Sequence, residues 1–147
     1  MKNISNRSSI EINAPASLVW TALTSPEIIK KYFFGTSADS TWKVGDPITF
    51  TGDYHGRHYQ DKGTILEVNP NKTFRYTYWS SISGIDDKPE NYVPITYSLR
   101  EMNGVTTLTV TQENIPDERM KGDAEQTWNK VLSNLRDVIQ EEMVGIS

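Results

Sequence analysis

Three tyrosines occupy segments that have the alternating pattern of β-strands. Tyr76 and Tyr78 fall within residues 73–80, and Tyr97 falls within residues 93–102. Because successive side chains of a strand point to opposite faces, Tyr76 and Tyr78 share one face of a sheet. A buried tyrosine hydroxyl needs a hydrogen-bond partner, so these residues suit an apolar pocket with a few polar anchors. Ordinary core packing is the alternative interpretation.

The two histidines lie in one polar turn and are the other candidates for chemistry. His55 and His58 are three residues apart, which in principle suits a metal, and Asp53 or Asp61 would complete an acid–base pair with His58. No further ligand follows at a known spacing, so we expect solvated histidines and no metal. The chain has no cysteine, nucleophile elbow or glycine-rich phosphate loop. We therefore favour noncatalytic binding without a cofactor. The alternative is a cyclase or hydrolase that uses tyrosines with His58 or Glu113.

The elements that position these residues are a β-rich middle and helical segments on either side. Apolar residues recur at helical spacing in two short segments after a first strand, and the period changes to two between residues 42 and 114. Asn103-Gly104 is typical of a two-residue hairpin turn, since both positions need positive φ. The predicted strands span residues 7–13, 46–52, 58–68, 73–80, 93–102 and 106–113.

A long C-terminal helix is predicted from Asp123, which forms a capping box with Gln126, to an end at Gly145. Its apolar stripe includes Trp128 and Leu132. An antiparallel sheet that meets a single long helix has more apolar face than the helix covers when flat, so the sheet must curl around it. We predict an α+β fold, with a curved antiparallel sheet that encloses a pocket.

Nine large side chains are predicted to line this pocket. They comprise inward strand residues, residues of the helical stripe and aromatic residues beside loops: Phe34, Trp42, Phe50, Tyr76, Tyr78, Tyr97, Leu108, Trp128 and Leu132. The polar loop at residues 80–91 is longer than most connections and is a candidate lid over the pocket. A disordered hairpin tip is the alternative for that loop.

Length and composition set the remaining expectations. A chain of 147 residues predicts one domain, residues 1–147, with a core that needs no disulfide or metal. The net charge of −4, with thinly spread lysines and arginines, disfavours nucleic acid as a partner. No apolar run approaches a membrane span, and the polar first nine residues lack a secretory signal. We expect a soluble cytoplasmic protein that does not insert into membranes.

Several short segments resemble one bacterial family over residues 10–139. The matching positions are Ala14-Pro15, Val19-Trp20, Leu23-Thr24, Trp42 with Gly45, Asp61-Lys62-Gly63, and Trp128 with Leu132 and Leu135. The sequence is similar to bacterial homologues of the C-terminal domain of the activator of heat-shock-protein-90 ATPase, in the START-like (SRPBCC, helix-grip) superfamily. In that family a glycine commonly precedes the helix tryptophan, whereas this chain has Thr127, whose side chain would narrow the pocket.

The resemblance implies the helix-grip fold and a range of functions, because lipid and hormone binders, cyclases, aromatases and cochaperones share it. The favoured partner is a small apolar or aromatic molecule such as a lipid, polyketide or flavonoid-like compound. A cochaperone-like module that contacts a heat-shock-protein-90 homologue is a further alternative. Exposed aromatic residues at the pocket rim would also suit a homodimer interface.

Overall fold

Seven antiparallel strands form one sheet in the computed structural model, which describes residues 4–143 apart from the side chain of residue 54. Strands two to seven neighbour one another in chain order, and the first strand pairs with the seventh at the far edge. In chain order the strands are β1 (Ile4–Ile12), β2 (Ser37–Ser40), β3 (Pro47–Tyr54), β4 (Arg57–Asn69), β5 (Thr73–Tyr78), β6 (Val93–Met102) and β7 (Val105–Ile115).

Turn chemistry and strand pairing explain where the strands begin and end. The predicted turn at Asn103-Gly104 is confirmed, since φ is 53° and 79° at the two positions. His55-Gly56 forms a similar turn between β3 and β4, with φ of 50° and 78°, so this hairpin extends beyond its predicted ends. The sequence does not predict β2, because its four residues show no apolar alternation. It forms by pairing with β3.

Three α-helices complete the fold, two of them short and directly after β1, as predicted. These are α1 (Ala16–Thr24) and α2 (Pro26–Tyr32), while α3 (Glu118–Val138) follows β7 and continues as a π-helical segment (Ile139–Met143). A short 3-10 helix (Pro89–Asn91) interrupts the loop between β5 and β6. No helix within residues 4–143 has the length and apolar character needed to cross a membrane.

The long helix begins earlier than predicted. The side chain of Asp117, not that of Asp123, caps α3 and accepts a hydrogen bond from the Met120 backbone N–H at 2.8 Å. Gly122 interrupts the helical sequence pattern and conceals this start, although glycine is tolerated inside a helix. The predicted end at Gly145 lies outside the described residues. The first turns of α3 therefore add Met120 to the wall of the interior.

We expect Asp117→Ala to lower the free energy of unfolding by about 1 kcal/mol, because it removes the acceptor for a helix N–H that has no intrahelical partner. Asp123→Ala is the matched control, since Asp123 is exposed and lies within the helix. We expect a change of less than about 0.5 kcal/mol for this control. Urea denaturation followed by circular dichroism measures both values. Equal losses in the two variants would contradict the assignment of the cap.

The inner face of the sheet carries the apolar side chains that alternation predicts. Phe74 and Tyr76 of β5, Tyr97 of β6, and Leu108 and Val110 of β7 are all buried. The helix α3 lies against β1, β7 and α2 and buries Trp128, Val131, Leu132 and Leu135. Each such large side chain contributes roughly 1.5–3 kcal/mol through burial. The predicted α+β helix-grip fold is confirmed.

Candidate functional site

Aromatic rings fill the deep part of the space between the sheet and the helices. The rings of Phe74 and Tyr97 are stacked with centroids 6.2 Å apart, and Trp42 contacts Phe74 at 6.0 Å. Trp128 meets Tyr97 edge to face at 5.9 Å. The void left among the rings measures only about 10 Å³. This space is no larger than one water molecule needs, so the deep interior is packed core.

A larger cavity lies between the first turns of α3 and the inner face of the sheet. Its volume is about 250 Å³, and we call it the α3 cavity. Three polar residues line it, Gln112, Asp123 and Thr127. Thr127 is the position whose side chain is expected, from the family resemblance, to narrow the pocket. Most of its wall is apolar or aromatic: Phe33, Phe50, Tyr76, Tyr78, Ile95 and Trp128. This composition is typical of sites for small apolar molecules.

A second cavity of about 130 Å³ adjoins the first, and we call it the loop cavity. The two cavities share Tyr78, Gln112 and Met120 in their walls. The loop at residues 80–91 contributes Ile85 to the loop cavity. This loop is tied down, because the Trp79 indole N–H donates to the Ile85 carbonyl oxygen at 3.0 Å. The candidate lid thus forms one wall of the loop cavity.

A buried carboxylate supports the tyrosine that separates the two cavities. Asp61 is 5% exposed and accepts hydrogen bonds from the Tyr78 hydroxyl and from the Ser81 backbone N–H, the latter at 3.0 Å. None of the ion pairs among residues 4–143 includes Asp61. Burial and the neighbouring Asp61 carboxylate raise the pKa of Tyr78 well above its usual value. The phenol therefore stays protonated at neutral pH.

Gln112 is held in one orientation by the helix tryptophan. The Trp128 indole N–H donates to the Gln112 side-chain oxygen at 2.8 Å. An indole nitrogen only donates, so the oxygen of the amide must face it. The NH₂ group of Gln112 then remains at the cavity wall. The buried hydroxyl groups of Tyr76 and Tyr97 are hydrogen-bond partners of each other, with their oxygens 3.5 Å apart. Burial raises the pKa of Tyr76 to about 12.

The nine predicted pocket residues fall into four groups. Four of them, Phe50, Tyr76, Tyr78 and Trp128, line the α3 cavity. Trp42 and Tyr97 line the small core void, and Leu108 and Leu132 are buried core residues that line neither the α3 cavity nor the loop cavity. Phe34 is 56% exposed with φ of 54°, and the preceding Phe33 reaches the cavity instead. The structure thus brings the strand aromatics and the helix tryptophan together.

The sequence interpretation misses several residues of the site, among them Gln112, Met120 and Ala124, and it pairs Asp61 with His58 rather than with Tyr78. Gln112 has the same alternation as the inward residues of β7, and Asp61 has the same alternation as the buried Ile65 of β4, so both positions were available from the pattern. Met120 and Ala124 were missed for another reason. They lie on α3 near the start that Gly122 conceals. Alternation gives the face on which Gln112 and Asp61 lie, but it does not show that a polar side chain on that face belongs to a site.

Two residues proposed for acid–base chemistry, His58 and Glu113, line neither cavity. The Nδ1 atom of His58 is 3.3 Å from an Asp53 oxygen, and these side chains are 72% and 77% exposed. Glu113 pairs with Arg75 at 3.3 Å, and neither lines the α3 cavity. Among the described residues, no three side chains of His, Asp or Glu are grouped to hold a metal.

The curved sheet and the long helix that it grips define a helix-grip domain of the START-like type. A family model described as "Activator of Hsp90 ATPase homolog 1-like protein" matches residues 13–140. This chain belongs to that family. Ligand-binding and polyketide-cyclase-like proteins share this type of fold.

Solved structures agree with this assignment. The solution structure of ChR145 from Cytophaga hutchinsonii is 36% identical with a TM-score of 0.83, and the match covers 98% of this chain and 99% of that one. The protein MLL2253 from Mesorhizobium loti is 24% identical with a TM-score of 0.78, covering 95% and 98%. The Aha1 dimer from Colwellia psychrerythraea is 19% identical with a TM-score of 0.70, covering 95% and 98%. A comparison with curated proteins finds no match.

Proposed function

We propose that this protein binds a small hydrophobic or amphipathic molecule in the α3 cavity without transforming it. The observation that carries the proposal is a cavity of about 250 Å³ with aromatic walls and few polar groups. Apolar walls favour a ligand by removing its surface from water, and a few polar groups fix its orientation. A lipid fragment, polyketide or flavonoid-like compound has this chemistry.

Binding is favoured over the cyclase or hydrolase alternative by the position of the titratable groups. His58 and Glu113, which that alternative names for proton transfer beside the tyrosines, line neither the α3 cavity nor the loop cavity. The carboxylate that does line the α3 cavity, that of Asp123, belongs to an exposed residue. The cochaperone-like module stays a prediction of the resemblance, and the homodimer stays a prediction from exposed aromatic residues. Exposed Phe34 at the end of α2 is the aromatic residue that a homodimer interface would cover.

A variant that fills the cavity tests the proposal. Ala124 is partly buried and lines the α3 cavity, so the ring introduced by Ala124→Phe would occupy the space of the ligand. Glu125→Phe is the matched control, because it places the same ring one residue further along α3 at an exposed position that lines neither cavity. We expect Ala124→Phe to weaken binding at least tenfold and Glu125→Phe to leave it unchanged.

A thermal-shift screen with lipids, aromatic polyketides and flavonoids identifies the ligand, and titration of tryptophan fluorescence then gives the affinity. A ligand at 100 times its Kd stabilises the folded state by about 2.7 kcal/mol, which raises Tm by several degrees. The absence of a shift with every apolar class would contradict the proposal. Equal affinities of the wild type and Ala124→Phe would place the ligand elsewhere. Circular dichroism checks that both variants are folded.

A further inference from the structure

The shared wall between the α3 cavity and the loop cavity carries one hydrogen-bond donor and one acceptor. The side chains of Tyr78 and Gln112 line both cavities, together with Met120. A ligand in the α3 cavity therefore meets these two polar groups where the cavities join. Their fixed hydrogen bonds decide which of them donates and which accepts.

The Tyr78 oxygen is an acceptor toward the cavity. Its proton is directed at the Asp61 carboxylate, whose other oxygen receives the Ser81 backbone N–H at 3.0 Å. A hydroxyl has one proton and two lone pairs. The Ser80 side chain also hydrogen-bonds to the Tyr78 hydroxyl, so one lone pair of the Tyr78 oxygen remains for a ligand. Gln112 has the opposite role, because Trp128 occupies its oxygen at 2.8 Å and leaves its NH₂ group to donate.

The charged side chain that lines the α3 cavity and the one that lies behind the shared wall are both acidic. Asp123 lines the α3 cavity, and the Asp61 carboxylate lies directly behind the Tyr78 hydroxyl. No lysine or arginine is among the residues that line either cavity in the described part of the chain. An anionic ligand would enter a partly desolvated space without a cation to pair with. A neutral ligand avoids this cost.

We propose that the α3 cavity selects an uncharged ligand whose hydroxyl donates to the Tyr78 oxygen and whose second oxygen accepts from the Gln112 amide, and that it rejects carboxylates. This inference rests on the proposed function, since it names the class of ligand for the same cavity. It excludes free fatty acids and aromatic acids, which are ionised at neutral pH. Hydroxylated aromatic compounds and fatty alcohols belong to the favoured class.

Three naphthalenes of similar size test the charge and the hydroxyl separately. At pH 7, 2-naphthol is neutral and donates, 2-methoxynaphthalene is neutral and does not donate, and 2-naphthoate is anionic. We expect 2-naphthol to bind the wild type at least fivefold more tightly than 2-methoxynaphthalene and at least tenfold more tightly than 2-naphthoate. Tryptophan fluorescence and isothermal titration calorimetry measure the affinities.

The Tyr78→Phe variant tests the residue. We expect it to bind 2-naphthol and 2-methoxynaphthalene with equal affinity, because the acceptor is gone. Tyr92→Phe is the matched control, since the Tyr92 hydroxyl also donates to a carboxylate, that of Asp87 at 2.6 Å, and Tyr92 lines neither cavity. The control should retain the preference of the wild type. Each comparison is a ratio within one variant, so a loss of stability does not imitate the effect.

The possible failures are distinct. If all three compounds bind the wild type equally, or 2-naphthoate binds most tightly, the selectivity is wrong while the proposed cavity function stands. If none of the three compounds binds, whereas the screen finds another apolar ligand, the proposed hydrogen bonds of the ligand to Tyr78 and Gln112 are likewise wrong. If Tyr78→Phe does not fold, the ratios measured on the wild type and on Gln112→Leu decide. The wild type should prefer 2-acetylnaphthalene, whose oxygen accepts from the Gln112 amide, over 2-ethylnaphthalene, which has no acceptor. Gln112→Leu must then bind these two compounds with equal affinity.

Discussion

Replacing Gly63 with alanine is expected to lower the free energy of unfolding by more than about 3 kcal/mol, which is a large fraction of the stability of a typical domain. A Cβ atom at Gly63 would lie 1.5 Å from the Thr77 carbonyl oxygen. The backbone there has no freedom to withdraw, because Lys62 and Trp79 exchange backbone hydrogen bonds of 3.1 and 2.8 Å. The strands β4 and β5 would have to separate.

Gly122→Ala is the control, because a Cβ atom at Gly122 meets nothing within 4 Å and the residue lies inside α3. Alanine is the better helix former, so we expect a gain of up to about 1 kcal/mol. Urea denaturation of the purified variants, or their soluble yield if Gly63→Ala cannot be purified, measures the contrast. A loss below about 1 kcal/mol for Gly63→Ala would contradict the close approach of the two strands.

Alkaline solution is expected to unfold the protein cooperatively, beginning above about pH 10. Burial raises the pKa of four tyrosines, Tyr32, Tyr76, Tyr78 and Tyr97, with Tyr76 at about 12. A tyrosine in the unfolded chain titrates near 10, so the folded state holds these protons more tightly. The stability that they contribute is complete below about pH 10 and is lost as the pH rises through the folded values.

Between about pH 10 and their pKa values in the folded state, each of these tyrosines removes up to about 1.4 kcal/mol of stability per pH unit. Four together remove about 5 kcal/mol per pH unit, which is comparable with the total stability of a marginally stable domain. Tyrosinate absorbance and circular dichroism should therefore change together. Tyr97→Phe tests the cause, since it removes one titrating group and should reduce the slope of stability against pH by about a quarter. Gradual ionisation of all tyrosines below pH 11 without loss of structure would contradict the prediction.

The fold was predictable from local patterns because its strands and helices carry strong periodicity. Alternation placed Phe74, Tyr76 and Tyr97 on the inner face, and Asn103-Gly104 marked its hairpin through the need for positive φ. The start of α3 and the strand β2 were not predictable in this way. The start of α3 depends on the capping residue Asp117, which Gly122 separates from the apolar stripe. The strand β2 depends on its partner strand β3.

The candidate site was predictable only in its aromatic part. Phe50 and Trp128 follow the core pattern, and the core pattern alone does not tell a residue that faces a cavity from one that packs against its neighbours. Tyr97 shows the difficulty, because its ring is stacked on Phe74 in the filled interior. Asp61 and Gln112 depend on hydrogen bonds between residues distant in sequence, which no single segment encodes.

The pairing of the first strand with the last has a consequence for how the chain folds. Ser9 of β1 and Thr109 of β7 are hydrogen-bonded at 2.9 Å although they are 100 residues apart in the chain. Closing so large a loop costs entropy before any contact compensates it, which slows folding. On the ribosome, β1 is synthesised before the other strands, and its partner β7 is synthesised after all of them. Until β1 pairs with it, β7 has an open edge, so the newly made chain is most prone to aggregate just before its first strand docks.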